Sequence, residues 1–307
     1  MYSGDKVELR HLRYFCVVAD ELNLTRAAEK LFIAQPPLTR QIKQLEEEIG
    51  VALFVREARG LSLTPAGEYF LKQAVCILEK VDNSVEETRN VADHGRVVFS
   101  IGFVPSVFYG QLPSLVRRLR QRSNIEVVLH ELKTAEQVEA LKTGKIDIGF
   151  GRIRVPDLGS DVEQTVLFQE PIVVALPASH PLAKQPVKME DLAKLPIILF
   201  PSGQGPNFAD ICLGLFALRA LDIKVTQQVN DLQTALGLVA SEMGFSLVPE
   251  QVRRLNRDDV AFVRLEDKSI TTPVVCSRRK EENSETMEFA LSILDELVQN
   301  RLTGRYP

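Results

Sequence analysis

The sequence predicts an α+β chain of several domains: a small helical N-terminal domain closed by a β-hairpin, one long helix, and a two-lobed α/β remainder. Three observations predict it. Apolar residues recur with helical spacing over the first fifty positions, the period shortens at 53–63, and from Val97 onward short β-rich runs alternate with helical segments.

Leu9, Leu12, Phe15, Cys16 and Ala19 form the buried stripe expected of a first helix. Leu24, Ala27, Ala28 and Leu31 form that of a second, with Thr25 as its expected cap. Leu38, Ile42, Leu45 and Ile49 form that of a third. Two prolines, Pro36 and Pro37, interrupt the pattern. Proline breaks a helix interior but fits the first turn, where its missing N–H has no intrahelical partner. Gln35-Pro36-Pro37 therefore opens a new helix. Leu53-Phe54-Val55 and Leu61-Ser62-Leu63 read as two short strands, with Arg59-Gly60 as the turn. Thr64-Pro65 supplies a cap and a first-turn proline for a helix running to about Asp93, with Leu71, Val75, Leu78, Val81 and Val85 on one side. So long a helix is expected to pair with a second copy. Beyond it, "VVFSIGF", "IEVVLHEL", "IDIGFG", "PIVVALP", "PIILF", "FSLVP" and "VAFVRL" are strand candidates. Helical segments are expected at 107–121, 135–143, 207–220 and 232–242. This alternation predicts α/β lobes with largely parallel sheets, "TPVVCSRR" crossing back to the first lobe.

Composition excludes several classes. With 45% apolar and 25% charged residues over 307 positions, the chain is that of an ordinary globular protein. No apolar run approaches the roughly 20 residues of a membrane span. The acidic, core-less start argues against a secretory signal, so a cytoplasmic location is expected. Cys16, Cys76, Cys212 and Cys276 lack metal-ligand spacing and read as packed thiols. His11, His94, His130 and His180 fall in no metal or nucleophile motif, and the glycines of "IDIGFGR" lack the full dinucleotide fingerprint. Neither an enzyme nor a cofactor is expected.

A helix, a short turn and a helix opening on polar residues is a helix-turn-helix arrangement, whose second helix presents its first residues to base edges in the major groove. Gln35, Thr39, Arg40 and Lys43 share the exposed side. Gln and Arg can each make two hydrogen bonds to one base. Arg26 and Lys30 add to the basic side, and Arg56 and Arg59 on the hairpin would act as a wing on phosphate or the minor groove. Net charge does not reveal this: the whole chain carries −4, and residues 1–63 hold nine basic and nine acidic side chains.

The stretch from "ELRHLRYF" through "TRAAEKL", "QPPLTRQIKQLEEEIG" and "LFVR" to "LTPAG" resembles the DNA-binding domain of LysR-type transcriptional regulators. The resemblance covers the whole N-terminal domain. It implies a winged helix-turn-helix over 1–64, a linker and dimerisation helix over 65–95, and an effector domain over 96–307 similar to type 2 periplasmic binding proteins. Lobe I would take about 96–168 and 273–307, and lobe II about 169–272. It also implies a homotetramer (a dimer of dimers), promoter DNA, a small organic-acid effector and RNA polymerase as partners, and Pro36 and Pro37 close to the groove.

In the α/β part, polar residues follow strands directly. "SIGFVPS" sets Ser106 at a helix start, "HELKT" sets Thr134 and "LFPSGQGPN" sets Asn207. Such turns at the carboxyl edge of a parallel sheet are where open α/β folds bind ligands, and helix starts favour anions. Taken singly, each residue is more commonly only a cap. "IGFVPSVFYGQLP", "KTAEQVEALKTGKIDIGFGR" and "LFPSGQGPNF" are similar to the matching stretches of muconate-responsive activators of benzoate, catechol and chlorocatechol breakdown. That resemblance implies effector contacts at Ser106, Thr134, Pro206, Asn207 and Phe208, with Arg152 at the pocket's edge. At Phe168 the chain departs from relatives with a secondary aromatic-acid site, some of which have an arginine there, so the resemblance does not extend to a second effector site. The alternatives are a regulator or repressor sensing an unrelated metabolite, or a solute-binding protein of transport type.

Overall fold

The computed structural model describes residues 7–57, 60–203 and 206–303. They divide into two compact units, 1–89 with the turn 143–145, and 90–142 with 146–307.

The first unit opens with α1 (Leu9–Glu21), α2 (Leu24–Lys30) and α3 (Gln35–Ile49). Its core gathers Leu12, Phe15, Val18, Ala27, Ala28, Leu38, Ile42 and Leu45. The stripe of α1 is rotated from its expected position. His11 and Val18 are buried, whereas Leu9 is 40% exposed. Thr25 is not the cap of α2; Asn23 is, its Oδ1 accepting from the N–H groups of Thr25 (2.9 Å) and Arg26 (3.1 Å). Pro36 and Pro37 lie in the first turn of α3, as their missing donors require. The strands β1 (Phe54–Glu57) and β2 (Gly60–Leu63) pair antiparallel. Thr64 then caps α4 (Pro65–His94), its Oγ1 accepting from Gly67 N–H at 2.9 Å. Gly67 lies where the helix meets the chain at Leu53: a Cβ there would fall 2.1 Å from the Leu53 carbonyl oxygen. Only glycine allows that approach. Phe70, Leu71, Ala74 and Leu78 of α4 pack on the unit's own core. The stripe expected to await a partner is thus partly covered already. Tyr69, Val75, Ile77 and Val85 remain exposed.

The second unit contains β3 (Val97–Phe103), α5 (Pro105–Phe108), α6 (Leu112–Leu119), β4 (Ile125–Glu131), α7 (Thr134–Lys142), β5 (Ile148–Gly151) and β6 (Val162–Pro177). There follow α8 (Met189–Leu192), β7 (Ile197–Leu199), α9 (Phe208–Ala217), β8 (Val225–Gln228), α10 (Leu232–Ala240), β9 (Ser246–Pro249), β10 (Val260–Arg264), β11 (Thr271–Arg279) and α11 (Glu285–Leu302). The helix expected at 107–121 is two helices, divided near Gly110. β3 pairs parallel with β4 and β5. The sheet as a whole is mixed, not largely parallel, because the long strands β6 and β11 run antiparallel to each other and to β5 or β10. β7 and β8 pair parallel.

Two large cores and a smaller one result among the described residues. One large core gathers buried residues from Ile172 to Ile270, and the other gathers residues of 99–168 with 274–297. The smaller gathers Val138, Ala140, Leu141, Ile146 and Val162. β6 contributes to both large cores, Phe168 to one and 172–176 to the other, and β11 runs beside it along its whole length. Phe168 belongs to the second large core, and the Arg301 guanidinium lies 4.3 Å from its ring centroid.

Candidate DNA-reading helix and effector cleft

On α3, Leu38, Ile42 and Leu45 face inward, with 0%, 6% and 0% exposure. The opposite side carries Gln35, Pro36, Pro37, Arg40 and Lys43, all exposed, and half-buried Thr39. Arg40 makes no ion pair among the described residues. Lys43 lies 3.7 Å from Glu47, one turn on, an exposed pair that salt and solvent screen strongly. The Thr39 hydroxyl donates back to the Gln35 carbonyl at 3.0 Å. Arg26 turns toward α1: its Nη2 donates to the Glu21 carbonyl at 2.7 Å, and its Nε is 3.5 Å from the Glu21 carboxylate. Arg56 lies on β1, and Arg59 is outside the described residues.

In the second unit a cavity of about 250 Å3 opens among Ser106, Lys133, Thr134, Arg152, Phe200, Pro206, Asn207, Phe208, Asp231 and neighbouring residues. These positions follow β3, β4, β5, β7 and β8, so the cavity sits at the carboxyl ends of parallel strands from both large cores. Sequence reasoning brought together six residues that the fold also brings together.

The roles within that group differ from expectation. Ser106 is the second residue of α5, not its cap. Its hydroxyl accepts from Arg152 Nε at 2.6 Å. Thr134 begins α7, and its hydroxyl accepts from the Arg152 backbone N–H at 3.3 Å. Gly151 makes that approach possible, since a Cβ there would lie 2.4 Å from the Thr134 side chain. Arg152 is not at the edge but in the wall, 3% exposed. Its Nη2 donates to the Ser106 carbonyl (3.2 Å) and to Glu170 Oε2 (2.8 Å). Its Nη1 is buried without a partner among the described residues. Burial pulls the Arg152 pKa down, and the Glu170 carboxylate opposes that pull. Asn207 is a cap: its Oδ1 accepts from Ala209 N–H at 2.8 Å, and its own N–H donates to Asp210 at 2.8 Å. Phe208 is 6% exposed, its ring centroid 5.6 Å from that of Phe200. Pro206 is exposed at the lining.

Sequence reasoning missed Glu170 and Asp231. Glu170 is 1% exposed and joins β6 to Arg152, while its Oε1 accepts from Gln251 N–H at 2.7 Å. The sequence carries no clear signal for it: Glu170 ends an alternating polar run, and its burial against a cation shows only in the fold. Asp231 caps α10, and the backbone and side-chain hydrogen bonds from Thr234 hold its carboxyl below the usual carboxylate range. The four cysteines are free, and burial pushes the thiols of Cys16, Cys212 and Cys276 up. Among the described residues no helix is long and apolar enough to cross a membrane, and no group of three His, Cys, Asp or Glu could hold a metal ion.

A helix-turn-helix unit joined to an α/β ligand cleft is the arrangement that comparison with known proteins also finds. Residues 9–68 match the bacterial regulatory helix-turn-helix proteins of the lysR family, and residues 92–298 match the LysR substrate binding domain. The chain is 47% identical over 288 residues to the HTH-type transcriptional regulator CatR of Pseudomonas putida, covering 94% of this chain and 98% of CatR. Full-length CbnR complexed with its target DNA is similar at 31% identity, with a TM-score of 0.67 over 95% of this chain and 100% of that one. The BenM effector binding domain with its effector benzoate is similar at 33% identity, with a TM-score of 0.62 over 68% of this chain and 95% of that one. With both of its units matched and a relative aligned over nearly its full length, this chain belongs to the LysR family of DNA-binding transcriptional regulators.

Proposed function

We propose that this regulator activates genes for the breakdown of aromatic compounds, in the cytoplasm, in response to a small organic acid such as cis,cis-muconate. The observation that carries the acid reading is the cavity wall where Ser106, Thr134 and Arg152 converge, with an unpartnered guanidinium nitrogen on Arg152 and the rings of Phe200 and Phe208 in the same lining. Polar donors would hold a carboxylate, and the rings would pack on a conjugated or aromatic body. Similarity to the benzoate-binding domain of BenM supports the same class. The ligand acts by binding one arrangement of the lobes better than another. In a homotetramer, a dimer of dimers, that difference would alter the spacing of the DNA-reading units and their contact with RNA polymerase.

In this reading residues 1–64 read DNA, 65–95 link and dimerise, and 96–307 sense the acid. Pro206, Asn207 and Phe208 border the ligand, with Asn207 acting chiefly by fixing the start of α9. Titration calorimetry of the full-length protein with muconate, benzoate and the neutral diamide of muconate tests it. Both acids, or one of them, are expected to bind and the diamide not. Replacing Ser106 and Thr134 together by alanine should weaken acid binding at least tenfold and leave operator affinity unchanged. A diamide that binds as well as the diacid would refute the anion site. Binding of neither acid would favour a regulator of an unrelated metabolite.

Gln35, Thr39 and Arg40 are assigned to base reading, Pro36 and Pro37 to close approach, and Arg26, Lys43, Arg56 and Arg59 to the phosphates or minor groove. Replacing Arg40 by alanine is expected to weaken operator binding by about 1–3 kcal/mol while binding to random DNA persists. Fluorescence anisotropy with both DNAs measures the difference. Equal weakening on both would make Arg40 a phosphate contact.

A further inference from the structure

The cavity lining holds more carboxylates than cations. Glu131, Glu136 and Asp231 line it, against Arg152 and Lys133. Arg152 is engaged in part, since its Nη2 donates to Glu170 Oε2 at 2.8 Å. Two of the lining carboxylates are engaged as well. Glu136 lies in the first turn of α7, its Oε2 accepting from Lys133 N–H at 3.0 Å. Asp231 caps α10, accepting from Thr234 N–H at 2.9 Å. Carboxylates so placed are satisfied by the helix-start N–H groups and by the helix dipole. Glu131, exposed at the end of β4, makes no ion pair among the described residues and repels an incoming acid.

Lys133 is the cation this balance leaves available. It lines the cavity, is exposed, and makes no ion pair among the described residues. Its side chain leaves the turn between β4 and α7 and reaches the loop after β7, where a Cβ on Gly203 would lie 2.8 Å from Lys133 Nζ. Glycine at 203 therefore serves twice: it accepts a φ of 123° and it leaves room for the ammonium. The two cations lie at different depths. Arg152 is buried in the wall with its Nη1 unpartnered among the described residues, and Lys133 is exposed at the rim. A monocarboxylate seated on the wall leaves Lys133 to water and gains nothing from it. A diacid gains a second charge-assisted hydrogen bond. We infer that Lys133 makes this cleft selective for dicarboxylates, its ammonium holding the far carboxylate of a conjugated diacid whose near carboxylate sits on Ser106, Thr134 and Arg152. The inference rests on the reading of the cavity as an acid site.

Titration calorimetry of the full-length protein tests it with three probes: cis,cis-muconate, its monomethyl ester and benzoate. The ester keeps the conjugated body and one carboxylate, so comparison with the diacid isolates the second charge. Wild-type protein is expected to bind the diacid at least about tenfold more tightly than the ester, the scale of one hydrogen bond to a charged group. Lys133→Met should weaken diacid binding by a similar factor and change ester and benzoate binding by less than about threefold, so that the preference disappears. Lys133→Arg, which keeps the charge, should retain most of the preference. Three results overturn the inference and leave the acid site standing: a wild-type protein that binds ester and diacid alike, a Lys133→Met variant that keeps the preference, or one that loses affinity for all the acids equally. A loss with Lys133→Arg as large as with Lys133→Met overturns recognition by charge. A wild-type protein that binds none of the three probes overturns the acid reading and this inference with it.

Discussion

Replacing Glu170 by alanine is expected to destabilise the effector unit by about 3–5 kcal/mol, the range for breaking one partner out of a buried ion pair. Arg152 and Glu170 are 3% and 1% exposed, and their 2.8 Å contact is Arg152's only ion pair among the described residues. Without the carboxylate, the guanidinium would keep its bonds to the Ser106 hydroxyl and carbonyl but remain charged and buried. Gln251 N–H would also lose its acceptor. For a unit of this size the expected fall in its melting temperature is roughly 6–20 °C. Differential scanning calorimetry of the full-length protein measures it, with operator affinity reporting that the DNA-reading unit is intact. The double replacement Arg152→Met with Glu170→Leu should recover much of the loss, because a buried pair can often be exchanged for apolar groups of similar volume at little cost. A single variant within about 1 kcal/mol of wild type would refute the assignment of this pair as an essential buried unit.

That pair marks where sequence reasoning ran out. Periodicity located β3, β4, β5, β9 and β10 because each is short and apolar on at least one face. The two prolines located the start of α3, because only a first turn accepts them. β6 was legible only in its second half, 171–177. Its first half, "VEQTVLFQE", alternates with polar residues, and Glu170 reads there as a surface carboxylate. Only pairing with β11 on one side and contact with Arg152 on the other reveals it as interior. Ser106 and Thr134 were nominated by their position after a strand and by the family resemblance. Sequence could not tell a helix cap from a hydroxyl turned to a buried arginine, since both place a small polar residue just after a strand. β8, with "VTQQ" and little burial, carried no apolar signal at all.

The same limit reshapes the second large effect, at α4. A helix of 30 residues extends about 45 Å, more than a small domain covers. Periodicity nominates Leu78 as the residue to test for pairing between copies. In the structure Leu78 packs on the core of its own unit, so a charge there would threaten the fold as well as any dimer. Ile77 is the better probe: it is 44% exposed, on a helix that also exposes Tyr69 (68%), Val75 (39%) and Val85 (45%). In a two-fold dimer each residue counts twice. Covering the exposed part of Ile77 contributes about 1 kcal/mol per copy on the scale of burial for an isoleucine side chain. An aspartate at the same place must also lose water without a partner, which costs more than the lost contact. Ile77→Asp is therefore expected to raise the dimer dissociation constant at least about 100-fold, a difference of roughly 2.7 kcal/mol. High-affinity operator binding should fall with it, because one unit reads one half-site. Lys72→Asp, an exposed charge change on the same helix, should leave the assembly intact. Sedimentation velocity over a concentration series decides between them. If Ile77→Asp sediments as the wild type does at every concentration, α4 does not join the subunits.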